Sequence, residues 1–495
     1  MRPSEELLRA LVDRVSGHVL RPPATTDPVI RYATPATIAD AFAASVGLSF
    51  AANEPAHSDD ALVAATDEVF GWSVHTSHPS FVNQNFAGPD PIGVLGDWIG
   101  AALNTTGATY EVAPVFTLME RAVLDKLASL AGFPSSAGDA DPPAGMFCPG
   151  GSVGLLFALQ LARHRLDPDI IDRGSDGRPV AVFVSESGHY STKKAAVLLG
   201  LGLDAVVAVP TDADGAMRPD ALAAEIATAS AAGRRPLAVI ATAGTTVTCA
   251  FDPLVAISEI CAEDDIWLHV DGAYGGSALF SPTQRRRLDG LERADSFVWD
   301  LHKMMGMTQQ CSVLLVREPS RLEPCFATRA DYLFQPDKRN AELDPGDRTF
   351  QCGRRVDVMK LWLTWKAHGD AGFAARVDHA VELADHVRAR IAASDGRFAP
   401  VVAGDFTNIC LLWVPPDLRP LTLGDLDDHT RSRLHALGPR VKIRMQDEGT
   451  ALMGVQPVHG INCFRLLFMN PRVERADADS LLDLIDRYAT REWVS

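Results

Sequence analysis

Between residues 145 and 316, short apolar runs repeatedly end in clusters of Gly, Ser, Asp or His. VAVFV precedes SESGHY, AVVAV precedes PTDADG, LAVIA precedes TAGTT, and IWLHV precedes DGAYGG. SFVW before DLHK and CSVLLV before REP continue the series. Helix-like stretches such as PDALAAEIATASAAG and PLVAISEICAEDD separate several of them. Strands alternating with helices predict an α/β domain with a mostly parallel sheet. Polar residues just past apolar strands are where such sheets bind ligands.

The flanks read differently. Residues 1–60 look helical, with a Pro-rich joint at Arg21–Thr26, and are too short to fold alone. Ala137–Gly145 (AGDADPPAG) reads as a polar surface loop. Residues 317–353 are mostly loop and lead into a helical stretch, VDVMKLWLTWKAHG. From about 376 come an amphipathic helix (ARVDHAVELADHVRARIAAS), strands NICLLWVP and CFRLLF, and a closing helix, DADSLLDLIDRYATREW. A chain of 495 residues exceeds one compact core. The expected division is a helical segment over 1–65, a large domain over 66–375 and a small α+β domain over 376–495.

The net charge of −17 argues against nucleic acid and against an anionic membrane surface. It does not exclude an acidic substrate, since one local arginine outweighs a distant, screened field. No stretch has the ~20 apolar residues of a membrane span, and the N-terminus lacks a signal-peptide core. Eight cysteines are scattered without CxxC pairing. That pattern fits a reducing cytoplasm and predicts neither disulfides nor a bound metal.

Four elements carry candidate chemistry. CPGGSVG, Cys148–Gly154, leads into the apolar run LLFALQLAR. Glycines at a helix start present free N–H groups to an anion, although such glycines more often mark a plain turn. His189 in SESGHYS follows a buried strand and reads either as a satisfied polar group or as a catalyst. Asp271 ends the strand IWLHV, where a carboxylate needs a partner; a loop cap is the plain alternative. Lys303 in HKMMGM sits in an apolar setting, which lowers an amine's proton affinity and favours attack on an aldehyde; snorkelling to the surface is the usual alternative. Together they suit pyridoxal 5′-phosphate (PLP), which needs a lysine, a carboxylate for its ring nitrogen and an anion cradle.

At these residues the sequence resembles the group II PLP-dependent amino-acid decarboxylases, most of all the glutamate and cysteine-sulfinate branch. The likeness runs from about residue 70 to 490. It rests on HPSFVNQNFAG, TYEVAPVFTLME, PGGSVG, SESGHYSTKKA, ATAGTTVTCAFDP, WLHVDGAYGG, HKMMGMTQQCSVLLV, YLFQPDK, QCGRRVDVMKLWLTWKAHG, TNICLLW, GVQP and FRLLFMNP. The resemblance implies PLP fold type I, the aspartate-aminotransferase-like fold, and a homodimer with shared active sites whose helical N-terminal segment packs on the partner. It implies Lys303 as the Schiff-base lysine, Asp271 as the ring-nitrogen partner and His189 as the stacking residue. Gly151, Ser152 and His302 would bind phosphate, with Cys352 and Gly353 arriving from the other subunit. Thr246 and Ala273 would line the ring. Gln84, Thr106 and Arg465 would hold the substrate.

Three departures stand out. The family's HVDAAWGG is HVDGAYGG here, and its NPHK is DLHK, with Asp300 and Leu301. Ala108 stands where the branch carries a large aromatic residue, which suggests a roomier pocket. The loop after YLFQPDK, Arg339–Thr349, lacks the tyrosine that returns a proton to the substrate carbon. The expected reaction is decarboxylation of an acidic or small polar L-amino acid to its amine. The alternatives are oxidative deamination to aldehyde, ammonia and peroxide, prompted by the missing tyrosine, and a non-catalytic binding protein on the same fold.

Overall fold

The computed structural model describes residues 4–21, 23–135, 142–328, 330, 332–335, 337–421 and 423–494. Residues 137–141 of the expected AGDADPPAG loop lie outside the described residues, and Gly145 already belongs to a strand. In chain order the strands are β1 (Phe81–Val82), β2 (Gly145–Cys148), β3 (Val180–Ser185), β4 (Val206–Val209), β5 (Arg235–Thr242) and β6 (Trp267–Asp271). They continue as β7 (Ser296–Asp300), β8 (Ser312–Val316), β9 (Phe398–Pro400), β10 (Asn408–Trp413), β11 (Leu452–Val458) and β12 (Ile461–Leu467). The chain forms two compact units, residues 92–379 and residues 1–91 with 380–495.

The 92–379 unit holds a seven-stranded sheet in the order β2-β8-β7-β6-β5-β3-β4. Strands β4, β3, β5, β6 and β7 pair in parallel, and β8 runs antiparallel to both neighbours. The strands are continuous apolar runs because both faces are covered. On one face the helix Gly151–Leu166 packs Leu155, Phe157 and Leu159 with Val182, Ile240 and Leu314. Gly154 lets this helix close on the sheet, since a Cβ there would lie 2.6 Å from Val298 Cγ2.

Parallel order puts the carboxyl ends of β3, β5, β6 and β7 on one edge, and the register sets their levels. Thr242 pairs with Asp271, and Asp271 with Val298. The antiparallel β8 brings its first residue, Ser312, opposite both Asp300 and Cys148. The α/β architecture read from the sequence, a mostly parallel sheet with a helical N-terminus, is the architecture found.

The other unit carries a five-stranded sheet in the order β1-β11-β12-β10-β9. Helices Asp428–Asp447 and Arg475–Val494 cover it with Leu437, Val441, Leu481 and Ile485. β1 joins in parallel, through Phe81 beside Leu452 and Val82 beside Met453. The N-terminal helices are Glu5–Leu20, Pro35–Ala43 and Asp59–Trp72, each capped by a Ser or Thr side chain. No helix among the described residues is long and apolar enough to cross a membrane. All eight cysteines are free thiols, and only Cys352 is exposed.

Candidate active site

The 92–379 unit gathers its functional side chains where the strands end. After β3 the chain turns tightly, with Gly188 N–H donating to Ser185 O at 2.7 Å. A Cβ on Gly188 would meet Val184 Cγ2 at 2.6 Å, so the turn requires glycine. The turn delivers His189, whose Nδ1 lies 2.8 Å from Ser191 Oγ. Burial lowers the proton affinity of His189; Asp271 opposes that shift and Lys303 reinforces it. The ring is therefore predominantly neutral near pH 7.

β6 ends at Asp271. Its carboxylate accepts the Ala273 N–H at 3.1 Å and has no ion-pair partner within 4 Å among the described residues. Burial raises its proton affinity, and Lys303 is the strongest opposing influence. A buried carboxylate of this kind is stabilised by a cation donating a hydrogen bond to it. The departure at Gly272 has a local cause: a Cβ there would sit 2.3 Å from the Phe297 ring. Ala273 is buried beside it.

β7 ends at Asp300, and a short hairpin carries Lys303 to β8. The hairpin closes through Leu301 N–H to Cys311 O at 2.8 Å and Met307 N–H to Leu301 O at 3.2 Å. Met304, Met305 and Met307 are buried beneath it, while Lys303 keeps 23% of its side chain exposed. Lys303 Nζ lies 3.1 Å from Asp300 Oδ2. His302 is buried, with Nδ1 3.1 Å from Cys311 O and Nε2 3.8 Å from Asp300 Oδ2.

The anion cradle lies next to this carboxylate. Gly150, at φ 93°, turns the chain out of β2 into the helix that begins at Gly151. The first N–H groups of that helix, those of Gly151 and Ser152, have no helical acceptor. A Cβ on Gly151 would lie 2.9 Å from Asp300 Oδ2, so a larger residue there would have to push the carboxylate aside. Thr246 lies in the turn after β5 that Asp252 holds, through the N–H groups of Thr242 and Met217 at 2.7 Å each. A lysine amine, a buried carboxylate without an ion partner among the described residues, a neutral imidazole and free helix N–H groups form a donor set that fits PLP.

Thr106, Cys352 and Gly353 belong to a second assembly in the same unit. Thr106 Oγ1 donates to Cys352 O and accepts from Arg354 N–H, both at 3.0 Å. Arg354 is buried and pairs with Glu120. Ala108 is buried nearby, and the position of a Cβ on Gly346 would lie 2.9 Å from Ala108 O and 2.2 Å from the Phe334 ring. In the other unit, Gln84 follows β1 and is exposed, and Arg465 on β12 donates to the carbonyl of its neighbour Asn83. Gly454 opposite leaves room for the guanidinium, as a Cβ there would sit 3.0 Å from Arg465 Nε.

Thus His189, Asp271, His302, Lys303 and Gly151 converge; Thr106 joins Cys352 and Arg354; and Arg465 reaches the carbonyl of Asn83, the residue before Gln84 in sequence. Asp300, Ser312 and Asp252 were not among the expected site residues. Only Asp300 left a signal, as the acidic residue in DLHK.

The pyridoxal-dependent decarboxylase conserved domain matches residues 47–413. Cysteine sulfinic acid decarboxylase of Rattus norvegicus is 46% identical over 424 residues, covering 85% of this chain and 84% of the rat protein. The Homo sapiens enzyme of the same name is likewise 46% identical, with the same coverage. Among solved structures, mouse CSAD superposes with a TM-score of 0.91 at 39% identity over 98% of both chains. Oryza sativa TDC with PLP and tryptamine gives 0.85 at 26% identity over 99% of both. The chain belongs to the pyridoxal-dependent decarboxylase family and is a PLP-dependent amino-acid decarboxylase.

Proposed function

We propose that this enzyme removes the α-carboxylate of a small acidic L-amino acid, cysteine sulfinate or a close analogue such as aspartate or glutamate. The carrying observation is the near full-length similarity to enzymes named cysteine sulfinic acid decarboxylase, at 45–46% identity. When bound, PLP supplies an electron sink for the pair left at Cα. The residues divide the remaining work. Lys303 would hold the cofactor through its side-chain amine, 3.1 Å from Asp300 Oδ2. Asp271, buried and without an ion partner among the described residues, would keep a proton on the cofactor's ring nitrogen by pairing with it. His189, whose proton affinity burial lowers, would pack against the cofactor as an imidazole. Gly151, Ser152 and His302 take the phosphate. Thr246 and Ala273 flank the ring, and Cys352 and Gly353 complete the phosphate site from a partner subunit. Gln84, Thr106 and Arg465 orient the substrate, by resemblance to the family. The relatives at 45–46% identity are named for decarboxylation, which leaves the oxidative alternative without support.

The same reading includes a cytoplasmic homodimer with the 1–65 segment packed on the partner. The homodimer is supported by exposed apolar surface: Phe50 is 93% exposed, Leu20 67%, and Leu103, Val115 and Leu118 each exceed 50%. Such surface is normally covered by another chain. A screen of acidic, aromatic and aliphatic amino acids, reading carbon dioxide and amine, tests the substrate. Turnover of cysteine sulfinate or aspartate well above that of aromatic substrates is expected; preference for an aromatic or aliphatic substrate overturns the reading.

A further inference from the structure

Asp300 is a buried carboxylate at the edge of an anion cradle. Its side chain is 4% exposed, and Ser312 Oγ donates to Oδ1 at 2.6 Å. Its other oxygen faces Lys303 Nζ at 3.1 Å and His302 Nε2 at 3.8 Å. Both oxygens lie about 3 Å from where a Cβ of Gly151 would stand, at the first residue of the cradle helix. An asparagine here would have the same shape and a neutral amide, where Asp300 presents a charge.

Three physical consequences follow. A helix N-terminus favours an anion, and here the protein supplies one of its own. With little water to screen it, that carboxylate repels a phosphate brought to Gly151, Ser152 and His302. It also pairs with Lys303, a cation that would otherwise help to draw the phosphate in.

We propose that Asp300 is a positioning residue that competes with the cofactor's phosphate and parks Lys303 until cofactor arrives. The enzyme therefore holds PLP more loosely than an asparagine at this position would allow, and its loaded fraction follows the PLP supply. This rests on Gly151, Ser152 and His302 being the phosphate site.

The test uses full-length protein stripped of PLP, with inorganic phosphate as the probe, read by its competition with PLP binding. Asp300→Asn keeps the shape and the Ser312 bond while removing the charge. It should bind phosphate at least about tenfold more tightly than the native chain, with a matching fall in the PLP dissociation constant. Asp300→Ser should move both constants in the same direction, which keeps the test decisive if the first variant folds poorly. A merely structural Asp300 would give weaker binding in both variants. Equal or weaker phosphate binding in the variants overturns the role of Asp300. Phosphate that fails to compete with PLP in any form overturns the cradle assignment itself.

Discussion

Asp252 holds the N–H of Thr242, at the carboxyl end of β5, with a carboxylate oxygen 2.7 Å away, and the group is almost wholly buried. Two backbone donors favour the charged form, but burial outweighs them and pushes the carboxyl from 3.8 up to about 7. A group raised in this way binds more protons folded than unfolded between those values. Its contribution is therefore full below pH 4 and is lost as pH rises toward 7. His269, buried and lowered from 6.5 to about 3, works oppositely and loses stability as pH falls through that window. The two slopes mask one another in the native chain. Asp252→Asn should remove one of them, so its stability relative to the native chain should rise between pH 4 and 7 by on the order of 4 kcal/mol. Urea unfolding at a series of pH values checks this; a pH-independent difference contradicts it.

Lys303→Ala should lose turnover by roughly 10³-fold or more while melting within a few degrees of the native protein. Borohydride reduction followed by peptide mapping should find the cofactor on Lys303 in the native chain and nowhere in the variant. A reducible adduct at another lysine, with activity retained, contradicts the assignment.

Asp271→Asn should still bind PLP but lose about 10²–10³ in kcat, since the ring nitrogen loses its counter-charge. Absorbance titration and steady-state rates separate the two effects. Near-native kcat would make Asp271 a cap for Ala273 and nothing more.

Arg465→Lys should raise KM for acidic substrates by about tenfold or more with a smaller change in kcat, because an ammonium cannot make the paired hydrogen bonds of a guanidinium. Equal KM for acidic and neutral substrates in both proteins would confine Arg465 to its bond with Asn83.

Turnover under air should give amine and carbon dioxide in equal amounts without peroxide, even though residues 335–349 contain no tyrosine. The loop is anchored independently of that residue: Lys338 Nζ lies 2.6 Å from Asp344, which also accepts the Tyr110 N–H at 2.7 Å. Peroxide matching carbon dioxide would show that the proton's return depends on the missing hydroxyl.

The parallel sheet was legible because its strands are buried on both faces and read as unbroken apolar runs. Asp271 and Lys303 were legible for the same reason, as polar groups where IWLHV and SFVW stop. β1 was not, since its two residues carry no period and pair only with the distant Leu452 and Met453. Nor was the closeness of Asp300 to Gly151. That contact depends on β8 running antiparallel between β2 and β7, an order that no local pattern encodes. Asp252 was hidden because its partners are backbone amides, which look alike at every position.

The reversed strand β8 also divides the site in time. The segment from Asp300 to Ser312 closes by local contacts, such as Leu301 N–H to Cys311 O, and short loops close within about 10–100 ns. His189 and Asp271 reach the same edge only after helical crossovers bring their parallel strands into register, a slow, non-local step. During refolding the lysine platform therefore has the means to assemble first and wait for the groups that complete it.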